Sequence, residues 1–152
     1  PKLALKGLNK IIPKDLNPEN KERLTNNFDA SITYSRQIGN IYTGSLYLGL
    51  LSLLEQSQDL KAGDKIGFFS YGSGAVSEIF SGRLVEGYKD LLRSDRLDTF
   101  AKRQPLSVAD YEKLFYEEAQ LDDTGSTQFA DYQTGAFRLT EISEHQRIYK
   151  GN

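Results

Sequence analysis

Apolar residues fall at positions 3, 4, 5, 8, 11 and 12, with Lys2, Lys6 and Lys10 on the other flank. This spacing predicts a short helix over 3–12, stopped by Pro13. Asn17-Pro18 offers a cap residue followed by proline in the first turn, so 19–38 reads as a second helix that Gly39 ends. The pattern then changes. From Leu46 to Leu54 apolar residues lie all around the helix rather than along one stripe, which predicts burial on both faces. A polar segment, Glu55 to Asp64, follows with the turn signal Ala62-Gly63-Asp64. Lys65 to Ser70 is a short apolar run and predicts a strand covered on both faces. Tyr71-Gly72-Ser73-Gly74 then reads as a tight turn, and Ala75 to Val85 as a second strand.

Beyond Tyr88 the chain is more polar. Asp90 to Arg103 is charge-rich and reads as helical, and Ser107 with Asp110 resembles a cap for a helix through about Ala119. Leu121 to Gly135 reads as a polar, mobile loop, and Ala136 to Tyr149 as one closing strand. There is no internal repeat. Residues 1–152 are expected to form one domain, within which 93–135 make a helical and loop excursion.

Composition narrows the function. Lys and Arg number 19 against 21 Asp and Glu, for a net charge of -2, which removes the simplest case for nucleic-acid binding. The absence of cysteine excludes disulfides, thiolate zinc sites and a cysteine nucleophile within the chain, and is compatible with a reducing compartment. A single histidine, His145, excludes a multi-histidine metal site, so no metal is expected. No run approaches the roughly 20 apolar residues that span a bilayer, so no membrane partner is expected. Pro1-Lys2-Leu3 opens without methionine or a signal peptide, which leads us to expect something ahead of it.

Two clusters can carry chemistry. In Gly39-Asn40-Ile41-Tyr42-Thr43-Gly44-Ser45, the Asn40 amide lies ahead of an apolar helix, near the positive end of its dipole. There it could donate to a developing oxyanion, or merely cap the helix; position alone favours the cap. In Tyr71-Gly72-Ser73-Gly74 the glycines admit a ligand close to the backbone, and the Ser73 hydroxyl can donate and accept. A hairpin turn explains the same residues. As a phosphate fingerprint the cluster is incomplete, because Ser77 stands where a third glycine belongs. His145, Glu112 with Lys113, Glu117-Glu118, Asp122-Asp123 and the charges from Arg93 to Arg96 read as solvated surface. Lys2 and Lys6, one helical turn apart, could address one anion.

Taken together, Gly39 to Leu48 and Phe69 to Val76 resemble hydroxymethylglutaryl-CoA synthases of the bacterial type, in order and in separation. Pro1-Lys2 with Lys6, and Leu84-Val85-Glu86-Gly87-Tyr88, extend the resemblance. It covers nearly the whole chain, more loosely after about Arg93. The resemblance implies an α/β thiolase-like condensing-enzyme fold, here its C-terminal half, layered with a mixed sheet, and a homodimer in the cytoplasm. It implies joining of acetyl-CoA and acetoacetyl-CoA to hydroxymethylglutaryl-CoA, for the mevalonate route to isoprenoids, with no cofactor beyond the coenzyme A thioester substrates. The family's cysteine, glutamate and histidine are placed upstream of Pro1, so no catalytic residue is assigned here. Asn40 matches an asparagine that binds the acyl or acetoacetyl oxygen, Ser73 a serine of the same pocket, and Lys2 and Lys6 lysines near the coenzyme A entrance. The N-terminal half of the same enzyme is then the expected partner, and this portion is expected to be inactive alone. The alternative is a non-catalytic acyl-CoA-binding or dimerisation module.

Overall fold

The computed structural model describes residues 2–129 and 135–151. The described chain divides into two compact units, Pro1–Arg103 and Gln104–Asn152. The division falls inside the excursion expected over 93–135.

The first unit opens with helix α1, Lys2–Ile11. Proline at 13 cannot donate a backbone hydrogen bond and restricts the residue before it, so the chain turns there. Helix α2, Pro18–Ile38, begins as its sequence dictates: the Asn17 side chain accepts from the Asn20 amide at 2.8 Å, and Pro18 occupies the first turn. It ends at Gly39, whose φ of 85° is open to glycine at little cost. Helix α3, Gly44–Gln56, folds back along α2. Small residues let the two backbones approach: a Cβ on Gly49 would stand 3.5 Å from the Ser31 carbonyl oxygen. The buried Ser52 hydroxyl donates to the Ala30 carbonyl at 2.5 Å and accepts from the Tyr34 amide at 3.2 Å. It therefore bridges two α2 backbone groups one turn apart and satisfies its own burial. Tyr34, Ser52, Leu53 and Leu60 are buried in this unit.

Strands β1, Lys65–Gly72, and β2, Val76–Arg83, form an antiparallel hairpin running from Lys65↔Arg83 to Gly72↔Val76. Phe68 and Phe80 are opposite one another and stack with ring centroids 4.8 Å apart. Helix α1 meets the hairpin at Gly7, where a Cβ would touch the Phe69 ring at 3.7 Å. Full burial of α3 and β1 on both faces is not reached within this chain. Tyr47 on α3 is 64% exposed, and in β1 no residue is fully buried. One neighbouring helix covers only part of the circumference of α3, and a two-stranded sheet has little to pack against its second face.

After β2, a short 3-10 turn at Tyr88–Leu91 leads to helix α4, Arg96–Ala101. In place of the continuous helix expected over 90–103, α4 starts only after Asp95, whose carboxylate oxygens accept from the Arg93 guanidinium at 2.9 and 2.6 Å and cap no helical amide.

In the second unit, helix α5 spans Val108–Tyr116, with the Ser107 hydroxyl accepting from the Asp110 amide at 3.1 Å. It stops three residues short of Ala119, where Glu117 turns extended. Strands β3, Thr127–Gln128, β4, Phe137–Ser143, and β5, Gln146–Gly151, pair antiparallel in that order. The single closing strand expected over 136–149 is thus a hairpin. Its two-residue turn, Glu144-His145, has φ of 48° and 65°, a mirror-image turn without the usual glycine or asparagine. Of the loop expected over 121–135, residues 130–134 lie outside the described residues; 122–126 form an ordered turn in which the Asp122 Oδ1 accepts from the Thr124 and Ser126 amides, both at 2.9 Å. Every strand pair among the described residues is antiparallel, so the mixed sheet is not formed within them. Strands joined by a tight turn, as β1–β2 and β4–β5 are, can pair no other way.

Candidate functional site

The connection from α2 to α3 holds Asn40. It is exposed and stands three residues ahead of Thr43, the N-cap of α3, which makes no side-chain capping bond. Asn40 instead closes a turn on its own loop. Its Oδ1 accepts from the Tyr42 amide at 2.9 Å and from the Ser45 hydroxyl at 3.0 Å. The Ser45 oxygen accepts in turn from the Ile41 amide at 3.0 Å. A primary amide can be turned over unless its neighbours discriminate between oxygen and nitrogen. Here they do, because a backbone N–H can only donate, so the atom facing Tyr42 must be the oxygen. The Nδ2 amide group is then directed away from the loop and has no acceptor among the described residues. Tyr42 reaches this position with a φ of 55°, a conformation that costs a bulky residue about 1 kcal/mol or more.

Ser73 occupies the tip of the β1–β2 hairpin. The loop Ser73-Gly74-Ala75 closes with the Ala75 amide donating to the Gly72 carbonyl at 3.1 Å, and Ala75 is left-handed at φ 58°. The hairpin turn is therefore real, and it leaves the Ser73 hydroxyl exposed with no partner among the described residues. Lys2 and Lys6 are exposed on α1, one turn apart. Through the contact of Gly7 with Phe69, α1 lies against the strand that leads to Ser73. The four residues thus lie on three elements of one unit, and no hydrogen bond or ion pair among the described residues joins Asn40 to Ser73 or either to a lysine. A cleft of about 360 Å³ between α1, α2 and β1, lined by Leu8, Leu24, Phe28, Leu53, Leu60 and Ile66 among others, contains none of the four.

One polar cluster was not foreseen from the sequence. Glu55, near the end of α3, has a side chain only 1% exposed. It accepts from the Tyr34 hydroxyl at 2.5 Å, the Arg93 amide at 2.9 Å and the Arg96 guanidinium at 3.0 Å. Burial by itself would push the carboxyl up, but these donors outweigh it and hold its pKa below the usual carboxylate range. Burial, and then the bond to Glu55, push the Tyr34 phenol up to about 12. Phe100 packs edge-on to Tyr34, ring centroids 5.4 Å apart. Arg96 is therefore not simply a solvated charge: its guanidinium, together with the Arg93 backbone amide, docks the segment after β2 onto the α2–α3 pair, while the Arg93 side chain stays exposed and pairs with Asp95. His145 is a turn residue whose amide donates to the Gly125 carbonyl at 3.0 Å, with its ring packed over Gly125. That contact gives it no nucleophile to activate.

The family model for the hydroxymethylglutaryl-coenzyme A synthase C-terminal region matches residues 5–151. The chain is 52% identical over 103 residues to the hydroxymethylglutaryl-CoA synthase of Enterococcus faecalis, covering 67% of this chain and 27% of that relative. It is 31% identical over 152 residues to the Saccharomyces cerevisiae enzyme, covering 95% of this chain and 30% of the relative. A crystal structure of an HMG-CoA synthase complexed with CoA superposes with a TM-score of 0.85 at 64% identity, covering 99% of this chain and 39% of that one. The helix pair and hairpins are those of the C-terminal half of a thiolase-like α/β condensing enzyme. The chain belongs to the hydroxymethylglutaryl-CoA synthase family. It spans about a third or less of the length of the curated relatives it matches.

Proposed function

We propose that this chain is the acceptor-side portion of an enzyme that condenses acetyl-CoA with acetoacetyl-CoA to give hydroxymethylglutaryl-CoA, working as a homodimer in the cytoplasm. The orientation of the Asn40 amide is the observation that carries this reading. Its oxygen is committed to the loop and its N–H groups are free to donate. In condensation, carbon–carbon bond formation at the acetoacetyl ketone turns the carbonyl oxygen into an alkoxide, or its protonated form. A donor fixed in advance contributes most to the rate where it meets charge that exists only in the transition state. Ser73, on the hairpin tip, positions the same acyl chain. Lys2 and Lys6 suit the phosphates of coenzyme A, which a relative of known structure binds. The nucleophilic cysteine, the acid/base glutamate and the histidine belong to the N-terminal portion, and no resident cofactor is needed.

Exposed apolar residues support a portion that is completed by more protein. Val76 and Ile79 on β2 are 70% and 66% exposed, and Leu3 and Ile11 on α1 are 53% and 65% exposed. The test is a coenzyme A release assay with acetyl-CoA and acetoacetyl-CoA. The full-length enzyme should turn over and the 152-residue chain alone should not. Turnover by the isolated chain, or none by a folded full-length enzyme, would overturn the reading.

A further inference from the structure

We propose that Ser45 is a positioning residue for the Asn40 amide, an inference that deepens the reading above and rests on it. The backbone fixes both acceptors in this small network. The Ile41 N–H can only donate, so the Ser45 oxygen must accept from it at 3.0 Å. The single Ser45 proton is then directed to Asn40 Oδ1, 3.0 Å away. The Tyr42 N–H supplies the second bond to the same oxygen at 2.9 Å. Both backbone donors are satisfied with the Asn40 oxygen turned inward, and the Nδ2 group is held outward. Two donors on the carbonyl oxygen also polarise the amide, which makes its N–H groups better donors.

The support beneath Ser45 is rigid. It lies in the first turn of α3, whose buried Ser52 is bonded to two backbone groups of α2. Asn40, in contrast, sits on an exposed loop between a glycine at φ 85° and the left-handed Tyr42. Ser45 thus ties a loop donor to a fixed helix, as a preorganised donor requires. Within the sequence motif Ser45 has no evident role, because its bond back to Asn40 spans five residues and depends on the turn at Tyr42.

The experiment uses the full-length enzyme and four variants: Ser45→Ala, Ser45→Thr, Asn40→Ala and the Asn40→Ala/Ser45→Ala pair. Ser45→Ala should lower kcat about tenfold, the scale of one net hydrogen bond, with little change in KM for acetoacetyl-CoA. Ser45→Thr, which keeps the hydroxyl, should recover most of the loss. The pair should be no slower than Asn40→Ala, because Ser45 acts through Asn40. Multiplying losses in the pair, or a threonine variant as slow as the alanine one, would overturn the positioning role while leaving Asn40 as donor. Unchanged turnover in Asn40→Ala would overturn the donor reading itself. Should Ser45→Ala fail to fold, Ser45→Cys, similar in size and a weaker donor, replaces it with the same expected loss.

Discussion

The Tyr42 backbone amide donates to the Asn40 side-chain oxygen at 2.9 Å, and this bond decides which end of the amide faces outward. A peptide N–H has no acceptor form, so the assignment rests on chemistry rather than on choosing between look-alike atoms. Tyr42 must adopt a φ of 55° to make it, and that local cost is understandable where a site has to be preorganised.

Ser73 has no bond within its turn to lose. Ser73→Ala should leave the melting temperature of the full-length enzyme within about 1 °C, since exposed substitutions generally stay within about 0.5 kcal/mol. It should lower kcat/KM by about tenfold or more. A large fall in melting temperature with normal specific activity would make Ser73 a turn residue only.

Lys2 and Lys6 act by charge in this account, so their effect should depend on salt. The Lys2→Ala/Lys6→Ala enzyme should show a raised KM for acetyl-CoA at low ionic strength, with the difference shrinking as salt is added. A KM unchanged at every salt concentration would remove them from the coenzyme A entrance.

The Glu55 cluster should show itself in pH and in hydrogen exchange. The carboxyl is held below its ordinary range in the folded state, so its contribution is present above that range and lost as pH falls through the depressed value. The Tyr34 phenol moves the other way, from 10.0 to about 12, so its contribution is present below pH 10 and lost as pH rises towards 12. Protection factors for the amides of 93–101 should therefore be flat across neutral pH and fall at both extremes. Glu55→Gln should lower them about 100-fold at neutral pH, on the scale of leaving buried donors poorly matched. Unchanged protection would mean that the segment is held without the carboxylate, by contacts such as Phe100 against Tyr34.

How much of this was legible depended on how local the rule is. Asn17-Pro18 and Gly39 bound α2 as read, because capping and positive φ are decided within a few residues. The hairpin over 65–83 was also legible, from a short apolar run beside glycines. Glu144-His145 hid the second hairpin, since neither residue signals a mirror-image turn; its partner is Gly125, whose carbonyl holds the His145 amide and whose missing Cβ leaves room for the ring. Arg96 looked solvated because its acceptor, Glu55, lies about forty residues earlier and is buried only after α2 and α3 pack. Asn40 could be singled out, but not the manner in which it is held.

The Gly125 contact makes its own forecast. Gly125→Ala should destabilise the β3–β5 sheet by about 2 kcal/mol, partly through its φ of 75° and partly by striking the His145 ring. In a His145→Ala background the steric share should disappear, leaving about 1 kcal/mol. His145→Ala alone should leave condensation turnover unchanged. Exchange rates of the β4 and β5 amides and the coenzyme A release assay check both parts, and a large loss of kcat in His145→Ala would return the histidine to the chemistry.

The most direct test of the central claim is the condensation rate of full-length Asn40→Asp at neutral pH. Aspartate keeps an oxygen for Tyr42 and Ser45 to donate to, preserves the shape, and replaces the outward N–H groups with a second oxygen. The account predicts a fall in kcat of at least about 10²-fold with unchanged folding, the scale of losing an oxyanion donor. A kcat within twofold of the parent enzyme would contradict it.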